Sequence, residues 1–440
     1  MFKRKIESEL NAYFIGPRNK ILIVDGARQI GKSYIIRKLG KEHFKNYIEI
    51  NLRDDADGER HFEPAKVRTA TQFYYALSSL HGDRLGNKDD TLVFLDEIQT
   101  YPHILSLLKT LNLDARYTYI ASGSLLGVTL KHTFIPMGAI SEIKMHQLDF
   151  EEFLWASGVG ADVIDYLRDC NRKRIAPEEN VHQVMMSRFK EYLLCGGLPD
   201  AVKAFLIEKN IMAMRKVQEE IYSYYKDDCS AYDHEHKLKI SRIYSMMPSY
   251  MANKVSRVRA NKIEGNKKDT LLKFVDEFDY LVSSGVANEV RAISDPKFPL
   301  VSSLAKNLIK LYYNDVGILT DILYKNNIDA VLNKEKGVNL GSVYETLACS
   351  ELSAHGHELF YFDSKKVGEV DFLLSDYSSL SVLPIEIKSG NDQNNFRALP
   401  KLVDPKYGYA IKEGYVFGNK NIVKKEGNIV TFPIYMIMFV

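Results

Sequence analysis

The feature that most constrains this chain lies near its start. Gly26-Ala27-Arg28-Gln29-Ile30-Gly31-Lys32-Ser33 follows directly on the apolar run Ile21-Leu22-Ile23-Val24 and opens a helix-forming stretch, Ser33 to Leu39. Strand, glycine-bounded loop and helix in that order make a phosphate-binding loop. The glycines let the backbone wrap closely, so successive N–H groups and the helix N-terminus point at an anion. Lys32 is placed to reach the β- and γ-phosphates, and Ser33 to give its hydroxyl to Mg2+. Residues Gly26 to Tyr34 are therefore the expected lining of a nucleoside triphosphate site, with ATP and Mg2+ as cofactors.

A chain of 440 residues is too long for one core. Ordinary domain sizes suggest about two to four domains. A net charge of only +2 excludes a polycation, so any attraction to nucleic acid must come from local patches. Cys170, Cys195, Cys229 and Cys349 are scattered with no Cys-x-x-Cys pair, which reads as free thiols in a reducing cytoplasm. The N-terminus is rich in charge and lacks the apolar core of a signal peptide. The apolar tail from Thr431 to Val440 is far shorter than the roughly 20 residues that span a bilayer. A cytoplasmic protein with no membrane partner is expected.

Along the first third, strands at 21–24, 47–50, 91–95 and 117–121 alternate with helical stretches at 71–80 and 104–111. Such alternation predicts an α/β domain with a parallel sheet. From Asp149 to about Phe205 the periodicity turns helical, with a charged loop predicted over Asp169 to Asn180. A further helical stretch runs from about 206 to 292, and Ile293 to Pro299 reads as a connector. Strand-like alternation returns at 358–362, 369–374, 382–388 and 414–417, with a short helix near Phe396 to Leu399 stopped by Pro400. The expected domains are 1–148 (P-loop sheet), 149–230 (helical lid), 231–300 and 301–440 (a second α/β unit).

Leu92-Val93-Phe94-Leu95-Asp96-Glu97 is an apolar strand ending in two acids. Beside a phosphate loop, Asp96 would hold Mg2+ through its water shell and Glu97 would polarise the attacking water. That pair turns a binding loop into an expected hydrolase. The next strand ends Ala121-Ser122-Gly123-Ser124, where Ser122 is the better placed to sense the γ-phosphate.

Far downstream, Glu345 falls on a helical segment, Asp371 in the strand Glu369-Val-Asp-Phe-Leu-Leu, and Glu386 and Lys388 in Pro384-Ile-Glu-Ile-Lys. Residues two apart share a strand face, so Glu386 and Lys388 are expected to project together while Ile385 and Ile387 point into the core. Carboxylates gathered by adjacent strands can bind Mg2+, and a nearby lysine can position a metal-bound water for attack on phosphate.

Gly-Ala-Arg-Gln-Ile-Gly-Lys-Ser, Leu95-Asp-Glu-Ile-Gln99, Ser122-Gly-Ser-Leu-Leu126, Asp149-Phe-Glu-Glu-Phe-Leu154, Gly196-Gly-Leu-Pro199 and Leu311-Tyr-Tyr-Asn-Asp-Val-Gly317 together resemble the prokaryotic AAA-type ATPases with a C-terminal nuclease-like domain. The resemblance runs over most of the chain. It implies an AAA core with a helical lid whose Gly196–Pro199 turn lies near the nucleotide. One departure is Gly138-Ala139, where the family usually has Gly-Arg, so an arginine acting there is missing. Arg28, Arg116 and Arg188 are read as structural ion pairs instead. The order Glu, Asp, Glu-x-Lys is similar to the PD-(D/E)xK nuclease core. That resemblance implies a restriction-endonuclease-like fold, with Asp371 and Glu386 as metal ligands, Glu345 assisting and Lys388 at the water.

Between the two sites, Lys254, Arg257, Arg259, Lys262, Lys267, Lys268 and Lys273 are opposed by Glu264 and Asp269. Flanking helical stretches at 239–251 and 270–284 are compatible with a winged helix, and its cations with salt-dependent contact to double-stranded DNA. The second stretch carries Leu271, Leu272, Val275, Phe278 and Leu281 at core-like spacing. Phe73, Tyr74, Tyr75, Tyr222, Tyr224, Tyr225 and Trp155 read as packing residues, and His234 and His236 as exposed. The resulting expectation is a Mg2+-dependent ATPase coupling ATP to a DNA-related action of its C-terminal half. An ATP-regulated nuclease and a non-catalytic, ATP-gated interaction switch with an unidentified protein partner stand as alternatives.

Overall fold

Five short segments near the start, three of them buried along their whole length, pair side by side as parallel strands. In the computed structural model, which describes residues 2–124, 138–231, 237–251, 258, 260–263, 270–332, 338, 340–390, 397–409 and 411–440, the chain divides into two compact units. The first comprises Lys3–His146 with Ser283–Gly285, and the second Gln147–Val282 with Val286–Val440.

The first unit holds β1 (Ile21–Asp25), β2 (Asn46–Asn51), β3 (Thr91–Asp96), β4 (Thr118–Gly123) and β5 (Ile140–Lys144). They form one sheet in the order β2-β3-β4-β1-β5, and every pairing is parallel. Strands β1, β3 and β4 are buried along their whole length, which explains their unbroken apolar runs. Helices Ala70–His81 and Pro102–Asp114 cover one face, where Phe73, Leu77, Ile104 and Leu108 pack on Ile48, Val93 and Tyr119. Val24 lies opposite Ser122 and Leu95 opposite Ala121. This register brings the carboxyl ends of β1, β4 and β3 to one edge, where open α/β sheets bind ligands.

The second unit begins with helices Phe150–Ala156, Ala161–Lys173, Glu179–Cys195, Pro199–Leu206, Ile211–Ala231 and Lys237–Met251. Its sheet contains β6 (Ala287–Ile293), β7 (Leu304–Tyr313), β8 (Phe360–Ser364), β9 (Gly368–Asp376), β10 (Ser381–Ile387), β11 (Gly414–Gly418), β12 (Lys424–Glu426) and β13 (Ile429–Pro433). The order is β12-β13-β11-β10-β9-β8-β6-β7 with mixed directions, β9–β10 antiparallel and β10–β11 parallel. Helix Gly341–Ala354 packs against β6, β7 and β10.

Several local expectations are corrected. The stretch 206–292 does not stay helical: Ala287–Ile293 is a strand, paired antiparallel with β7 and parallel with β8. Asp169–Asn180 is helical on both sides, and only 174–178 connects, because Arg174 at φ 56° ends the first helix. Pro400 starts a helix instead of stopping one, lying in the first turn of Leu399–Val403, where its missing N–H costs nothing. Leu272 and Val275 are exposed while Leu271, Phe278 and Leu281 are buried, since a 3-10 turn breaks the spacing at 271–274. Tyr75 is 72% exposed and is no packing residue. Phe396, His234, His236, Lys254, Arg257, Arg259, Glu264, Lys267, Lys268 and Asp269 lie outside the described residues, as does the side chain of Lys262.

Candidate functional site

The loop after β1 depends on backbone shapes that its residues permit. Gly26 (φ 148°) and Gly31 (φ 96°) take conformations that a side chain would strain, and a Cβ on Gly26 would lie 2.2 Å from the Met145 carbonyl oxygen. Gln29 is also left-handed. The buried Arg4 guanidinium braces the loop, donating to the Ile30 carbonyl (3.1 Å) and the His146 carbonyl (2.6 Å). Helix Lys32–His43 begins at Gly31 with no side-chain cap, so its first N–H groups remain for a ligand to satisfy. Lys32 is 6% exposed, and its Nζ donates to the carbonyls of Gly26 (2.8 Å) and Ala27 (2.7 Å). Burial depresses its pKa, and the carboxylates of Glu97, Asp25 and Asp96 act against that.

Asp96 and Glu97 end β3 at the same edge. Asp96 is buried and accepts a hydrogen bond from the Ser122 hydroxyl. Burial raises its pKa, the Ser122 and Ser33 hydroxyls lower it, and Glu97 adds repulsion. Glu97 stands at φ 54°, a left-handed conformation that a non-glycine residue keeps only when its surroundings enforce it. Gln99 donates to Glu97 Oε2 and also reaches Ser124 Oγ at 3.3 Å. Arg28 Nε donates to Ser124 Oγ at 2.9 Å, and its Nη2 lies 3.9 Å from Glu97 Oε2.

Gly26, Ala27, Arg28, Gln29, Ile30, Gly31, Lys32, Ser33, Asp96, Glu97 and Ser122 thus share one edge of the sheet, while Tyr34 begins to turn outward and is exposed. Sequence reading missed Asp25 and Gln99 and ranked Ser124 below Ser122. Gln99 carried a signal: it sits two residues after Glu97, within reach around a single 3-10 turn. Arg116 stacks over the Tyr74 ring at 4.1 Å and Arg188 pairs with Glu191 at 2.7 Å, both structural contacts. In the second unit, Gly197 N–H donates to Asp315 Oδ2 (2.7 Å), and a Cβ on Gly197 would lie 1.9 Å from the Leu148 carbonyl oxygen.

The second unit draws the downstream acids together. Tyr312 donates to Glu345 Oε2 at 2.9 Å, Ile387 N–H to Asp371 Oδ2 at 2.8 Å, and Lys388 Nζ to Glu386 Oε2 at 3.0 Å. Glu386 and Lys388 project together as expected, and Glu386 is itself buried because β10 is covered on both faces at this end. Burial and then the neighbouring Asp371 push Glu345 up to about 7, with Lys310 pulling the other way. The same two causes raise Glu386 well above the usual carboxylate range. Burial lowers the Lys388 pKa, but Glu386 and Asp371 outweigh it and the net direction is upward.

Sequence reading missed Lys310, which is 1% exposed on β7, paired with Glu369 and held charged against burial by Glu345, Glu369 and Asp371. Its one signal was a lysine within Leu308-Ile-Lys-Leu-Tyr-Tyr313, a run too apolar for a solvent-facing strand. The acids stand in separate hydrogen-bonded pairs and do not form a closed three-ligand set.

Residues 18–154 match the AAA domain family model. The match supports an AAA-type domain that binds and hydrolyses ATP. Residues 186–329 and 340–437 match two domains of unknown function, DUF8612 and DUF4143. Uncharacterized protein MJ1544 of Methanocaldococcus jannaschii is 23% identical over 393 residues, covering 88% of this chain and 79% of its own. Two solved structures are loosely similar. The Walker-type ATPase PABY2304 of Pyrococcus abyssi has a TM-score of 0.45 at 16% identity, covering 73% of this chain and 95% of its own. The RuvB Holliday junction branch migration motor of Thermotoga maritima has 0.28 at 14%, covering 65% and 89%. No helix among the described residues is long and apolar enough to cross a membrane.

Proposed function

We propose that this chain is a Mg2+-dependent ATPase of the cytoplasm whose nucleotide cycle drives a DNA-related action of its C-terminal half. The observation that carries the ATPase reading is the contact set at one sheet edge. Ser122 donates to Asp96, the Ser33 hydroxyl is near enough to lower the Asp96 pKa, and Gln99 and Arg28 lie against Glu97. Asp96 and Ser33 would share the Mg2+ shell, Lys32 would neutralise the β- and γ-phosphates, and Glu97 would take the proton of the attacking water. Ser122, fixed on Asp96, would report the γ-phosphate to that shell.

A second reading, metal-dependent phosphodiester cleavage, is favoured by the charge balance downstream. Glu345, Glu369, Asp371 and Glu386 crowd against Lys310 and Lys388, and burial with mutual repulsion holds Glu345 and Glu386 towards their protonated forms; a divalent cation would supply the charge that lets them ionise. Asp371 and Glu386 would be its ligands, with Glu345 assisting and Lys388 beside the water, in a restriction-endonuclease-like domain. A winged-helix-like segment at 231–300 would supply the contact to double-stranded DNA. The test is the steady-state ATPase rate with and without double-stranded DNA, for wild type and Lys32→Ala. Turnover stimulated by DNA in the wild type and lost in the variant supports the reading; turnover retained by Lys32→Ala overturns it.

A further inference from the structure

Among residues that neither site uses, three side chains of the second unit converge where the helix Phe150–Ala156 begins and the helix Gly341–Ala354 ends. Ligand atoms of Asp149, Glu351 and His355 all lie within 4.8 Å of one another. Asp149 is 6% exposed, Glu351 1% and the His355 side chain 14%. One oxygen of each acid is committed to the backbone. Asp149 Oδ1 accepts from Glu152 N–H (2.8 Å) and Glu351 Oε2 from Phe150 N–H (3.0 Å). These bonds fix the carboxylates so that Asp149 Oδ2 and Glu351 Oε1 face the imidazole.

The imidazole is fixed from its other side. His355 Nδ1 lies 3.0 Å from the main-chain oxygen of Val440, which can only accept, so Nδ1 carries a hydrogen. Nε2 then faces Asp149 Oδ2 at 3.7 Å and Glu351 Oε1 at 3.6 Å. Both separations exceed a hydrogen bond. They suit ligands grouped around a cation: metal bonds of about 2.0–2.2 Å in a tetrahedron hold ligand atoms about 3.3 Å apart. A ligating histidine that gives its second N–H to a main-chain oxygen is the usual supporting arrangement.

Charge points the same way. Glu152 is also buried, and the Tyr192 hydroxyl has its pKa raised first by burial and then by Glu351, Asp315, Asp149 and Glu152, so several carboxylates crowd one region of low dielectric. Buried carboxylates persist where a cation offsets them.

We infer that Asp149, Glu351 and His355 form a structural site for one divalent transition-metal ion of the Zn2+ type, stapling the two helices and the Val440 segment together. The competing arrangement is an imidazolium with no metal. The full chain, carrying Asp371→Asn to disable the other carboxylate site, is loaded with Zn2+, dialysed and examined by X-ray absorption at the zinc edge. About one retained Zn2+ per chain is expected, with one imidazole nitrogen among carboxylate oxygens. His355→Gln should weaken Zn2+ binding about tenfold or more, and Glu351→Gln, which keeps side-chain volume, should do likewise. No retained zinc, an all-oxygen shell, or unchanged affinity in a folded His355→Gln or Glu351→Gln protein would overturn the site.

Discussion

Replacing Glu345 by Gln should stabilise the second unit at alkaline pH and leave it nearly unchanged at acid pH. Glu345 has its pKa pushed up to about 7, first by burial and then by Asp371. In an unfolded chain a glutamate titrates near 4.3. Between those values the folded protein holds a proton that the unfolded chain has released, so stability falls as pH rises through this window. Below about pH 4.3 the penalty is absent, and above about pH 7 it is complete. A pKa displacement of about 2.7, at about 1.4 kcal/mol for each, gives about 4 kcal/mol as an upper figure, because the residue is only half-buried and solvent screens part of the charge.

Glutamine keeps the shape and can still accept from the Tyr312 hydroxyl while carrying no charge. The assay is urea unfolding followed by fluorescence of Trp155, the one tryptophan of the chain and a residue of the second unit. Wild type and Glu345→Gln should coincide near about pH 4.5 and diverge towards about pH 8. Saturating Mg2+ should flatten the wild-type slope, since a bound cation offsets the ionised acid. Parallel profiles, or a gap that opens on the acid side, would refute the reasoning.

Gln99→Ala removes the donor that holds Glu97 and should lower kcat about tenfold with little change in KM, as expected for lost orientation of a base; steady-state kinetics with ATP check it. Gly197→Ala would drive a Cβ to 1.9 Å from the Leu148 carbonyl oxygen, so it should cost about 3 kcal/mol or more in the same urea assay. Lys310→Met strips the buried cation from Glu369 and its acidic neighbours and should cost about 3 kcal/mol, the low end for a broken buried pair because Glu369 is partly exposed. Wild-type stability in that variant at neutral pH would remove Lys310 from the charge balance.

The nucleotide edge was largely legible in the sequence because its parts are contiguous. A fully buried parallel strand must be an apolar run, so Ile21–Val24 and Leu92–Leu95 announce themselves, and the residues immediately after each are the ones that reach the sheet edge. Residues that act across the edge were harder to read. Ser124 and Gln99 are ordinary turn residues until the register of β3 and β4 brings them together.

In the second unit, the acids of adjacent strands could be paired by spacing, but Lys310 could not. It comes from β7, at one end of the sheet, and meets Glu369 of β9 although β8 and β6 stand between the two strands in sheet order, so no strand pairing links them. Strand β6 escaped notice because Ala287–Ile293 has polar and charged residues on its half-covered positions, a composition that fits a helix as well as a strand. The Asp149, Glu351 and His355 cluster joins positions about two hundred residues apart, with no local motif to mark it.

The most direct test of the central claim is ATP binding and turnover by Glu97→Gln. Glutamine preserves the side-chain volume and a hydrogen bond with Gln99 but cannot accept a proton. The account predicts ATP affinity close to wild type and turnover reduced about a hundredfold or more, the usual worth of a positioned general base. Turnover unchanged in a folded Glu97→Gln protein would contradict it.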